Sequence, residues 1–450
     1  MHSGNGYPHK VVRVFSGLTI QRYSRMGILS TVLILFSATA WTAPPLFYVS
    51  TQGNDSWTGT LNMPNAEASD GPFLTVHRAQ EALRASDTSQ GAAVYIREGR
   101  YHLDRPLELG PLDSGNDQAP VRWQAYAQEE VHIIGGITLY DYTDSVKGIY
   151  SLSLSDLIPP EKRFWQLFHE GKRQTLARWP NAGEGELPGG GWTYIAADTQ
   201  KNSRNTFTYL GDRPNSWAAR KDIEVSIWPN HNWWQTIVPV SKIKTGTNTI
   251  TLNRDLPYTL QPGRRFFFQN IREELDAPGE WYYDPDTQVL DFYPPESSTE
   301  VPMTIIPMLD HAILMEGAAH INLMGLTIEA TRKEAVRITD STQILFAKST
   351  VRNTGDFGVV IQGGERNRVV GCDVYDTGRG GIWLEGGDRM TLAPAGHQAV
   401  NNDIHHFGTL YQNYNNGIHL KGVGNLARNN HIHDGPHNGI LLTGNEHRIE

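Results

Sequence analysis

From Val301 to Glu450 the apolar positions recur in short alternating runs. The runs are Ala335-Val336-Arg337-Ile338-Thr339, Gly358-Val359-Val360-Ile361-Gln362, Gly381-Ile382-Trp383-Leu384-Glu385, Gly417-Ile418-His419-Leu420-Lys421 and Gly439-Ile440-Leu441-Leu442-Thr443. In each run the second and fourth residues are apolar, the period of a strand with one face turned inward. A second strand repeats in step, with inward residues Ile328, Val351, Val374, Ile404 and Ile432, spaced by 23, 23, 30 and 28 residues. A third run opens at Asn367, His397, Asn425 and Asn445. Three short strands in a turn of about two dozen residues match a solenoid repeat. The pattern predicts an all-β, right-handed parallel β-helix with three strands per coil. Leucine-rich-repeat spacing is absent. The two longer steps hold insertions at Gly386–Gly396 and Thr409–Asn416, and inserted loops on a regular scaffold commonly carry function.

Upstream the pattern is less regular. Strands are predicted at Phe47–Ser50, Val94–Ile96, Tyr101–Leu109, Val121–Tyr126 and Val131–Ile134, without hairpin signals between them. Phe73, Val76, Ala79 and Leu83 stand at helical spacing. A helix over Phe73–Arg84 would cap the open end of the coil stack. From Asp144 to Glu300 the chain is rich in Trp, Tyr and Pro and alternates over longer strands. This predicts an inserted antiparallel, sandwich-like β domain, dividing the chain into 41–143, 144–300 and 301–450. Basic and aromatic residues interleave in Arg173–Trp179 and His231–Trp234. They are expected at the joint between domain and coils, with contact to a sugar as the other reading.

Lys10, Arg13, Arg22 and Arg25 precede the apolar stretch Ile28–Phe36 and the small residues Ala38-Thr39-Ala40. That is the layout of an export signal over residues 1–40, removed before Trp41. An uncleaved anchor is the alternative, and Met26 a second possible start. The expected location is periplasmic or secreted, with no membrane contact after cleavage. The single cysteine, Cys372, excludes an intrachain disulfide and a cysteine-based zinc site. It reads as a small buried apolar residue. A net charge of −9 argues against nucleic acid as partner.

Stacking the coils about 4.8 Å apart places outward residues in columns. One column is Arg337, Val360, Trp383, His419 and Leu441, and the next Thr339, Gln362, Glu385, Lys421 and Thr443. On the second strand the columns are Thr350, Asp373, Asp403, His431 and Arg352, Tyr375, His405, His433. That strand ends at Asn353, Asp376, His406 and Asp434. Outward polar residues are ordinary on such a coil, and Asn, Asp and His at corners often bond the backbone. Carboxylates stacked as Asp373 over Asp403 are not ordinary, because like charges directly opposite destabilise a sheet. Glycoside hydrolysis needs two carboxylates, about 5 Å apart for retention and about 6.5–9.5 Å for inversion. Asp373 with Asp403 suits the first, Asp376 with Asp434 the second.

Asp403 or Asp434 is therefore expected to supply a carboxylate, and His405 or His433 to orient substrate. Trp383, His419, Lys421, Tyr411 and Tyr414 are expected to bind it. Glu385 and Lys421 read as a cross-coil ion pair. A lyase or epimerase with His419 or Lys421 as base is the second reaction class, and a non-catalytic binding solenoid the third. Asp403, His405 and His433 are metal-compatible donors, but their spacing specifies no ion. No metal or cofactor is expected. The expected partner is a polysaccharide, met by a monomer.

Phe47-Tyr48-Val49-Ser50 with Gly53-Asn54-Asp55, Gly71-Pro72-Phe73, and Val94-Tyr95-Ile96-Arg97 with Gly99 and Tyr101 resemble the opening of secreted β-helix glycosidases. Gly171-Lys172-Arg173-Gln174 to Ala177-Arg178-Trp179-Pro180-Asn181 is similar to glycoside hydrolase family 141. The coils at Gly417-Ile418-His419 and Asn430-His431-Ile432-His433 match in style. The resemblance covers nearly all of the mature chain. It implies an α-L-fucosidase- or xylanase-like hydrolase of plant or algal polysaccharide. It also implies further coils with an Asp-x-Gly-Ala segment beyond Glu450, so a C-terminal truncation is an expectation. No catalytic residue is carried over from it.

Overall fold

Three parallel sheets run the length of the coil. The computed structural model describes residues 43–146, 148–183, 190–217, 222–295 and 301–450, and the signal-like segment 1–40 lies outside them. The first sheet contains Leu107–Leu109, Ile313–Glu316, Val336–Thr339, Val359–Gln362, Ile382–Gly386, Ile418–Val423 and Ile440–Asn445. The second contains Gly99–His102, Val131–Ile134, Thr327–Thr331, Thr350–Thr354, Asp373–Thr377, Asp403–His405 and His431–His433. The third, nine strands from Leu46–Val49 to Arg448–Ile449, completes each coil. The chain is a right-handed parallel β-helix with antiparallel sheets added to it, and its register is the one the repeat predicts. Arg337 pairs with Val360, Val360 with Trp383, and Trp383 with His419. Asp373 pairs with Asp403, and Asp403 with His431.

The core follows from that register. Ile328, Val351, Val374 and Ile404 stack inward with no exposed surface, as do Val336, Ile338, Val359 and Ile361. Between the first and third sheets a buried ladder satisfies the backbone at the corner. Ile344 N donates to Asn367 Oδ1, Asn367 N to His397 Nδ1, His397 N to Asn425 Oδ1, and Asn425 N to His447 Nδ1. The third run therefore opens in the last coil at His447, not Asn445. Asn445 instead pairs with Val423 at the end of the first sheet, because that strand is six residues long there. Asn402 and Asn430 form a second ladder, with Cys372 N donating to Asn402 Oδ1 and Asn402 N to Asn430 Oδ1. Cys372 is 2% exposed, and burial pushes its thiol up to about 12, as an unreactive core residue requires.

The helix spans Val76–Arg84 and starts later than its apolar spacing suggests. Thr75 is extended and its Oγ1 accepts from Arg78 N at 3.1 Å, which caps the helix there. Phe73 lies before the cap and bridges to Val49 instead. Val76, Ala79 and Leu83 still bury against the first coil.

Between Gly136 and Pro307 the sheets are antiparallel except for Thr175–Leu176 beside Glu280–Asp284. Gly136–Leu139 pairs with Thr304–Pro307, so these antiparallel pairings reach beyond 144–300. Phe207, Trp217, Phe266 and Phe268 form one core of this part, and Trp281, Leu290 and Phe292 another. Residues 43–450 form one compact unit. Among the described residues, no helix is long and apolar enough to cross a membrane.

Candidate functional site

The outward face of the second sheet carries the densest chemistry. Asp403 Oδ1 faces two imidazole nitrogens, His431 Nδ1 at 3.0 Å and His433 Nε2 at 3.2 Å. One coil back, Asp373 Oδ1 is 3.2 Å from His405 Nε2. The donor atoms of Asp373, Asp403 and His405 all lie within 4.8 Å of one another. Tyr375, His405 and His433 stack as a column, with ring centroids 4.8 and 4.9 Å apart. Burial raises the Asp373 carboxyl, the His405 imidazole opposes that, and the Asp403 carboxylate adds to it, for a net rise. The stacking register thus places a carboxyl raised by burial beside a second carboxyl, with imidazoles along one edge.

Asp376, His406 and Asp434 close these strands in the left-handed region, at φ of 49°, 49° and 48°. Asn353 precedes them at 57°. Asn, Asp and His adopt this conformation more readily than other residues, a structural reason for their presence. Asp434 also bonds its neighbour, with Oδ2 2.7 Å from His433 Nδ1. That hydrogen bond holds the Asp434 carboxyl below the usual range and raises His433.

Trp383, His419 and Lys421 lie on the first sheet. Lys421 Nζ is 2.8 Å from Glu385 Oε1, the expected cross-coil ion pair. Glu385 also accepts from Gln362 Nε2 at 3.1 Å and Trp383 Nε1 at 3.2 Å. Burial pushes this carboxyl up, but Lys421 and the other donors outweigh it and hold it low. His419 is only 8% exposed, under Trp383 at a centroid distance of 4.2 Å. Burial, then the Lys421 charge, lower its pKa, and its Nδ1 has no hydrogen-bond partner.

Tyr411 and Tyr414 stand apart from that pair, in the inserted loop. Arg379 lies over the Tyr411 ring at 4.1 Å, and Tyr414 meets Trp233 and Trp234 edge to face. With Arg254 and Asn413 they line a cleft of about 370 Å³ against the antiparallel part. Trp228 Nε1 donates to Asn413 Oδ1, and Gln235 Nε2 to Leu410 O, across the same joint. Arg173 is a joint residue as well, donating to Thr354 O at 2.8 Å and Asp376 O at 3.0 Å. Asp403, His405, His433 and Asp434 are thus brought together, Trp383, His419 and Lys421 form a second group, and the tyrosines a third. Among the described residues no hydrogen bond, ion pair or ring contact links the three.

Sequence reasoning missed the buried charge at the base of the second sheet. Glu329 is 2% exposed and bonds Arg352 Nε and His132 Nδ1, both at 2.8 Å. Alternation marks Glu329 as outward. Phe168 and Ile305, packed with Ile134 and Ala330, cover the neighbouring surface. Arg352 Nη1 then reaches Tyr375 Oη at 3.1 Å, so this network supports the aromatic column of the site.

The right-handed β-helix region family model matches residues 308–404. No curated protein matches the sequence. A solved structure described as a glycoside hydrolase superposes at a TM-score of 0.74 with 18% identity, over 89% of this chain and 80% of that one. A xylose complex of XylC reaches 0.43 at 12% identity, over 90% of this chain and 65% of that one. Pectate lyase Pel9A reaches 0.38 at 11%, over 91% and 62%. The chain spans less than two thirds of these last two. The first likeness establishes the fold.

Proposed function

We propose that this chain is a carbohydrate-active enzyme, a glycoside hydrolase exported to act on a plant or algal polysaccharide, α-L-fucosidase- or xylanase-like. The observation that carries the reading is Asp373 beside Asp403, with facing donor atoms within 4.8 Å. An upper limit of 4.8 Å between these oxygens is compatible with the roughly 5 Å of a retaining pair and shorter than an inverting pair needs. Asp373, raised by burial, gives its proton to the glycosidic oxygen as that bond breaks. Asp403 attacks the anomeric carbon, and water then releases the sugar while Asp373 takes back the proton. His405 and His433 line the same face and orient the sugar hydroxyls. Trp383 on the first sheet and the Tyr411–Tyr414 cleft hold more distant parts of a long chain.

The second reading is a lyase, favoured by the His419 imidazole, whose pKa is lowered by burial and then by the Lys421 charge, as suits a general base. One assay separates the two. The protein is incubated with neutral and acidic plant and algal polysaccharides, and new reducing ends and ultraviolet absorbance are followed together. Reducing ends without absorbance are expected. Absorbance rising in step with chain cleavage would replace the hydrolase reading with the lyase.

A further inference from the structure

We infer that Asp403, His431 and His433 form a binding site for a borderline divalent transition-metal ion of the zinc type. The three donor atoms lie within 4.8 Å of one another. Two of the edges, 3.0 and 3.2 Å, run from the two imidazoles to the same oxygen, Asp403 Oδ1. Donors held about 2.0–2.2 Å from one ion stand about 3–3.5 Å apart, so these edges are already those of a coordination polyhedron. A small rotation of His431, whose side chain is 73% exposed, closes the third.

The orientation of His433 is the independent observation. Its Nδ1 is 2.7 Å from Asp434 Oδ2, a carboxylate that can only accept, so the Nδ1 proton points there. In the neutral ring Nε2 then carries a lone pair, aimed at Asp403 Oδ1, which is also an acceptor. Either a second ring proton or a metal ion satisfies both atoms, and metal binding displaces that proton. A carboxylate behind the far nitrogen of a ligating histidine is the usual arrangement for fixing its tautomer and raising its basicity. His405 stacks on His433 at 4.9 Å and with Asp373 makes a second donor set sharing Asp403. Imidazole donors select zinc, nickel, cobalt or copper over calcium and magnesium, which prefer an all-oxygen shell.

The site goes beyond the hydrolase reading and does not need it, because binding is measured without substrate. It bears on that reading in one respect. An ion on Asp403 Oδ1 draws charge from the carboxylate assigned as nucleophile, so zinc loading inhibits hydrolysis.

The test is titration calorimetry of the chelator-treated full chain with zinc, repeated with cobalt while its visible absorption is followed. One ion per chain is expected, with cobalt bands typical of mixed nitrogen and oxygen ligation. His431→Ala and His433→Ala should each weaken zinc at least tenfold, about 1.4 kcal/mol, and His311→Ala should leave it unchanged. Circular dichroism confirms that the variants are folded. No binding at millimolar zinc would overturn the inference, as would affinity unchanged in both variants or calcium binding as tightly as zinc. Zinc binding without inhibition would leave the site standing and remove Asp403 as nucleophile.

Discussion

Arg352 Nε meets Glu329 Oε2 at 2.8 Å across neighbouring coils, beneath the aromatic column of the second sheet. His132 holds the other carboxylate oxygen at 2.8 Å. Burial pushes the Glu329 carboxyl up, but His132 and Arg352 outweigh it and hold it at about 2. Removing one partner of a buried pair leaves the others uncompensated, typically at about 3–5 kcal/mol. Glu329→Gln is expected to cost that order, read as a shift in the urea midpoint.

The same pair sets an acid limit. A carboxyl lowered on folding contributes stability that is full above its unfolded value, about 4.3, and lost as pH falls through about 2. The stability difference between the protein and Glu329→Gln should therefore shrink from pH 4.5 down to 2. His132 is raised chiefly by its hydrogen bond to Glu329, so its share is lost in the other direction, as pH climbs through its raised value. Denaturant melts across pH check both signs.

Asn402 is 2% exposed and ties three segments, accepting from Cys372 N and donating from Nδ2 to Val369 O at 3.1 Å. Asn402→Ala leaves buried backbone groups unpaired, at about 1–3 kcal/mol each. Hydrogen exchange should show the loss first at the amide of Cys372.

Asp373→Asn and Asp403→Asn should each lower turnover by about 10²–10⁴-fold or more while the melting temperature moves little. Both side chains are near half exposed, at 46% and 49%, so folding does not depend on them. Unchanged turnover in both would remove the second-sheet face as the reaction centre.

Asp434→Asn tests positioning. The Asp434 hydrogen bond is the leading cause of the raised His433 pKa, so its removal should lower that pKa. The His433 ring resonance, followed by NMR against pH, reports this directly. A purely conformational role for Asp434 would leave the titration in place.

Much of the coil was legible because its signal is local. Corner residues at fixed spacing and apolar second and fourth positions act within five residues, and a two-residue period has only one register that buries every Ile and Val. The columns Asp373–Asp403–His431 and Trp383–His419 follow from that register alone. The reading failed where a strand changed length. Asn445 continues the first sheet, and His447 takes over the ladder two positions later. It failed at the helix start because a cap at Thr75 overrides apolar spacing.

By itself, then, the sequence determined the coil, its inward core and which polar side chains stand above one another. Tertiary structure alone decided what those side chains meet. Arg173 finds Thr354 and Asp376 across 181 and 203 positions, and Glu329 is buried although alternation turns it outward. Tyr414 of the 409–416 loop joins the tryptophans of the antiparallel part rather than Trp383. Periodicity acts between neighbours in the chain, whereas these contacts depend on how the antiparallel stretch packs on the coil. Docking geometry arises from shape and charge summed over a whole surface, and no short run of residues encodes it.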